Sequence, residues 1–71
     1  MIIKVRNENQ WLYYDYVDEV KLEETNEEGK PVVVNRMFVF QKNNSKTIVI
    51  ELNGSVAYFL NDNGKTIERI N

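Results

Sequence analysis

Cysteine and histidine are both missing from this chain, and the two absences remove most site chemistry at once. Without cysteine there is no disulfide, no thiolate nucleophile and no Cys-ligated zinc. Without histidine the chain lacks the side chain that titrates near neutrality, so general acid–base catalysis at pH 7 has no ready agent. The only glycines, Gly29, Gly54 and Gly64, stand far apart, which excludes a glycine-rich phosphate loop. Ser45 and Ser55 sit in turn-like sequence with no base predictable beside them. No apolar run approaches the ~7–15 residues of a signal core or the ~20 of a membrane-spanning helix. Small secreted domains usually need disulfide staples, so their absence points to a reducing compartment. The expectation is a cytoplasmic non-enzyme with no cofactor, no metal and no membrane partner.

With 71 residues there is room for one domain, residues 1–71, around one core. Trp11, four Tyr and three Phe supply much of the apolar bulk, because aromatics bury ~150–250 Å² each. Domains of this size fold with a narrow margin, so a homodimer burying a further face is compatible with the composition. The ten Asn, six Ile, six Lys and four Tyr are typical of AT-rich coding sequence, as in low-GC bacteria and their phages.

What is present in quantity is β signal. Val32 to Gln41 is dense in β-branched and aromatic residues, and Asn43-Asn44-Ser45 supplies turn chemistry after it. Residues 47–52 alternate, with Ile48, Ile50 and Leu52 on one face. Asn53-Gly54 then reads as a hairpin turn into a strand carrying Val56, Tyr58 and Leu60. Asn61-Asp62-Asn63-Gly64 turns the chain again into a last strand, Lys65 to Ile70. From Gly29 onward the pattern is a β-meander.

Upstream, Ile2 to Val5 reads as a short strand and Asn7-Glu8-Asn9 as a turn. Trp11 to Leu22 reads as one strand, with Leu12, Tyr14, Tyr16, Val20 and Leu22 on a shared face broken by Asp18. The alternative is a helix near residues 15–28, giving an α+β fold. Against it, Glu23, Glu24, Glu27 and Glu28 would crowd the helix C-terminus, where the macrodipole disfavours negative charge. The fold expected is all-β: five to six antiparallel strands forming a small barrel or a strongly twisted meander sheet. Ile2–Val5 and Lys65–Ile70 are the expected edges, guarded by Lys4, Arg6, Lys65 and Arg69.

The formal charge of −2 conceals a polarised chain. Residues 8–28 hold eight carboxylates against one lysine, −7, whereas residues 1–7 carry +2 and residues 29–71 carry +3. Trp11 and Tyr13 lie within that acidic stretch, on the face opposite Leu12 and Tyr14. The candidate partner-binding residues are therefore Trp11, Tyr13, Asp15, Asp18, Glu19, Glu23, Glu24, Glu27 and Glu28. Clustered charge of one sign steers partners of the other, and Trp and Tyr anchor interfaces. The plainer account is a solubilising loop beside core aromatics. Glu23 to Glu28, and Asp62 with its flanking Asn61 and Asn63, also offer oxygen donors, but neither matches an EF-hand spacing.

These features favour a small non-enzymatic protein-binding module, an inhibitor or regulator presenting an acidic aromatic segment to a basic protein surface, with mimicry of DNA as its sharpest form. A small-barrel binder of single-stranded nucleic acid is the first alternative. It is disfavoured because Asp15, Asp18 and Glu19 border the aromatic strand and the isoelectric point is about 5.0. A structural or oligomerising domain is the second alternative.

Overall fold

The computed structural model describes all 71 residues and consists of seven strands with no helix. The strands are β1 (Ile2–Asn7), β2 (Gln10–Tyr14), β3 (Val17–Thr25), β4 (Val33–Gln41), β5 (Ile48–Glu51), β6 (Ala57–Leu60) and β7 (Thr66–Ile70). They form a four-stranded sheet in the order β2-β1-β6-β7 and a three-stranded sheet in the order β3-β4-β5, with antiparallel pairing throughout. The all-β class is as expected, but two sheets replace the barrel or single meander, and seven strands replace five or six.

One core joins the sheets. Ile3 and Val5 on β1, Ala57 and Phe59 on β6, and Ile70 on β7 meet Val17, Val34, Met37, Val39 and Ile50 from the smaller sheet, with Leu52 between. Alternation explains the inward set, because residues two apart on a strand share a face. It leaves Lys4, Arg6, Tyr58 and Arg69 on the outside of the larger sheet. No polar or charged residue is buried, and no buried side-chain nitrogen or oxygen lacks a partner.

Two expectations change, and the helical alternative is not realised. Trp11 to Leu22 is not one strand: the chain leaves the larger sheet after Tyr14 and enters the smaller one at Val17. Tyr16 makes the switch in a left-handed conformation, φ 58°, and is two-thirds exposed instead of sharing the face of Leu12 and Tyr14. Val17 N–H then donates to the Met1 carbonyl, and Lys42 N–H to the Tyr16 carbonyl, which pins the crossing. No helix forms over 15–28, because β3 occupies most of it, paired to β4 from Val17 to Thr25. Finally, β1 is central and not an edge; β2 and β7 are the edges of the larger sheet.

Asn53-Gly54 adopts the positive φ values its turn requires, 49° and 89°, with Ser55 N–H bonded to the Leu52 carbonyl at 2.9 Å. Yet β5 and β6 do not pair; they lie in different sheets. The turn leans on β4 instead. Asn35, an extra residue in the β3–β4 register, accepts from Leu52 N–H and Asn53 N–H at 2.7 and 3.0 Å. Nearby, the Asn71 side chain accepts from Val34 N–H and donates to the Val34 and Ser55 carbonyls at 2.8–3.0 Å. That amide ties the end of β7 to the smaller sheet.

Candidate interaction surfaces

The sequence-predicted aromatic and acidic residues fall on two separate surfaces. Trp11 and Tyr13 lie on β2, on the outer face of the larger sheet. Cross-strand register sets their neighbours: Arg6 opposite Trp11, Lys4 opposite Tyr13, Tyr58 opposite Lys4, and Arg69 opposite Tyr58. The row Tyr13–Lys4–Tyr58–Arg69 therefore spans all four strands. The Lys4 ammonium stands 4.4 Å from the Trp11 ring centre, 5.7 Å from Tyr58 and 5.9 Å from Tyr13. The Arg6 guanidinium lies 5.2 Å from Trp11, and the Trp11 and Tyr58 rings tilt together at 5.9 Å. Such cation–aromatic pairs are worth roughly 0.5–1 kcal/mol at exposed sites. Tyr13 remains 57% exposed.

The acids lie elsewhere. Asp15 sits at the crossing between sheets, where its carbonyl accepts from the Gln41 side chain at 2.8 Å. Asp18 is an extra residue in the β3–β4 register, and Glu19, Glu23 and Glu24 follow on β3. Glu27 and Glu28 belong to the connection into β4. Every residue from Lys21 to Val33 is exposed, so the distal half of the β3–β4 hairpin is an arm extending beyond the core. Even Leu22, which pairs with buried Met37, is 37% exposed. Two arm carboxylates are paired: Glu23 with Arg36 at 3.3 Å and Glu27 with Lys30 at 2.9 Å.

The sequence polarity thus becomes a polarity between sheets. Strands of the larger sheet carry Lys4, Arg6 and Arg69 against Glu68 alone. Strands of the smaller sheet carry Lys21 and Arg36 against Asp18, Glu19, Glu23, Glu24 and Glu51. Lys4, Arg6, Tyr58 and Arg69 were not among the sequence candidates. The missing signal was pairing: the Asn7-Glu8-Asn9 turn puts β1 beside β2, so Lys4 and Arg6 must share a face with Tyr13 and Trp11.

No group of three or more carboxylates is placed to hold a metal ion. Asn61 spends its side-chain oxygen on the N–H groups of Asn63 and Lys65, both at 3.0 Å, which makes its loop a turn. Asp62 faces the N-terminal ammonium at 3.0 Å, and that hydrogen bond and charge hold its carboxyl below the ordinary value. A shallow cleft at one side of the core is lined by Leu12 and Tyr14 of β2 and Val49 and Ile50 of β5, with Arg6 and Glu51 also on its wall. No helix is long and apolar enough to cross a membrane.

Comparison with protein-family models, with curated proteins and with solved structures gave no match to this chain.

Proposed function

We propose that the protein is a non-enzymatic protein-binding module, an inhibitor or regulator that presents its acidic β3–β4 arm to a basic protein surface. The observation that supports this reading is the unbroken exposure of residues 21–33, a stretch that contains Glu23, Glu24, Glu27 and Glu28. Folding alone gives little reason for the acidic end of such an arm, since its carboxylate side chains remain exposed. As an interaction element it is well suited: a hairpin holds its charges in a fixed array, and a charged array accelerates encounter with the opposite sign by ~10–1,000-fold. Asp18 and Glu19 continue the same charge toward the base of the arm.

The test is kinetic. A partner recovered with the wild-type chain from cell lysate is purified, and its association is compared for wild type and the variant Glu23→Gln, Glu24→Gln, Glu27→Gln, Glu28→Gln. The expected result is an association rate lowered about tenfold at low salt. That gap should narrow at physiological ionic strength, where the Debye length is ~8 Å. Equal rates for both proteins across the salt range would leave the arm as a solubilising loop.

A further inference from the structure

We infer that the outer face of the β2-β1-β6-β7 sheet is a stacking platform for single-stranded nucleic acid, with bases on Trp11, Tyr13 and Tyr58 and phosphates on Lys4, Arg6 and Arg69. Single strands are held by exposed aromatic faces set among cations that follow the backbone. This face has both. The Trp11 and Tyr58 rings lean together over β1, 5.9 Å between centres, with the Lys4 ammonium beside both and Tyr13 further along β2.

No cation of the face is held in an ion pair. The four ion pairs of the protein involve the N-terminus, Lys30 and Arg36, and none reaches Lys4, Arg6 or Arg69. The Arg6 Nε donates only to the Glu8 backbone carbonyl, at 3.1 Å. Two carboxylates belong to this sheet and its first turn. Glu68 pairs with the inward residue Phe59, so it shares the opposite parity, and Glu8 stands in the turn between β1 and β2. β2 itself carries no charge. Of the acids that border the aromatic strand in sequence, Asp18 and Glu19 belong to the other sheet and Asp15 stands at the crossing beyond Tyr14. Packed sheets are ~10 Å apart, beyond a Debye length of ~8 Å at physiological salt, so the arm does not cancel the field of this face. A basic protein would be repelled here. An acidic protein would meet the cations but bring no regular run of planar groups for the rings.

Trp11 is the sole tryptophan and reports directly on stacking. Its fluorescence is titrated from physiological ionic strength upward with an oligothymidylate of about a dozen nucleotides, and with polyglutamate and a DNA duplex as comparators. Saturable quenching by the single strand is expected, weaker with both comparators. Three phosphate contacts predict a slope of log K against log salt near −2, from ~0.7 per contact. Tyr58→Ala should weaken binding about tenfold by removing a stacked base. Arg69→Gln, exposed on an edge strand, should leave the fold intact and flatten the slope by about 0.7. The proposal is overturned by absence of quenching, by equal quenching with polyglutamate, or by unchanged affinity in both variants. Loss of binding on neutralising the four arm glutamates would also overturn it. That variant separates this site from the arm reading, since it should bind the single strand as well as wild type.

Discussion

At the scale of residues, core and outer face are separated by which side of a strand a side chain takes. Ile3 and Val5 are buried, while Lys4 and Arg6 between and after them reach the aromatic face. Backbone strain is also local. Glu8 takes φ 55° in the two-residue connection between Asn7 and Gln10, a conformation costing an ordinary L-residue roughly 1–2 kcal/mol and glycine little. Its exposed side chain is absent from the ion pairs, and Arg6 bonds only its backbone oxygen. Glu8→Gly should therefore raise stability by ~0.5–1 kcal/mol, read as a higher urea midpoint at unchanged slope. A lower midpoint would mean that the carboxylate contributes to the turn.

At the scale of elements, periodicity made most strands legible and pairing did not follow from it. The strands around Val34–Gln41, Ile48–Ile50 and Tyr58–Leu60 stand where alternation and turn residues put them. The break at Tyr16 was hidden because no glycine, asparagine or proline marks it; a tyrosine is held there by the Lys42 and Val17 backbone bonds, which are tertiary. Asn53-Gly54 was read correctly as a turn, but a turn fixes only local reversal. Asn35 captures its amides, and the chain passes to the other sheet. Sheet membership also sorts β4. Met37 is fully buried, whereas Phe38 faces outward beside Lys21 and Val49. Phe38 looks like core by composition, yet Met37→Ala should cost ~2–5 kcal/mol and Phe38→Ala clearly less. Chemical denaturation of both variants checks this, and a larger loss for Phe38→Ala would put the wrong face of β4 inward.

For the whole molecule, the acidic segment recognised in sequence proved to be two things. Its aromatic beginning, Trp11 and Tyr13, joins the cations of β1, and its carboxylates follow β3 out along the arm. Charge counting along the chain could find the polarity but not the partition, which depends on the crossing at Asp15 and Tyr16. Apolar packing lies between the sheets, whereas the arm and the aromatic face lie outside it. Folding and the proposed association thereby rest on different atoms, and that is the central claim.

Residue-resolved amide hydrogen exchange tests it most directly. Slow exchange requires global opening, while segments with few apolar contacts open locally. The slowest amides should belong to the central strands, over residues 3–5 of β1, 37–39 of β4 and 57–60 of β6. Hydrogen-bonded amides of the arm should exchange markedly faster although they belong to the same β3–β4 ladder. Substituting glutamine for Glu23, Glu24, Glu27 and Glu28 should leave the slowest amides unchanged or slower, because exposed charges contribute little to folding and their mutual repulsion opposes it. Arm amides as protected as those of Met37 to Val39, or a general loss of protection in that variant, would show that the arm belongs to the folding core and contradict the assignment.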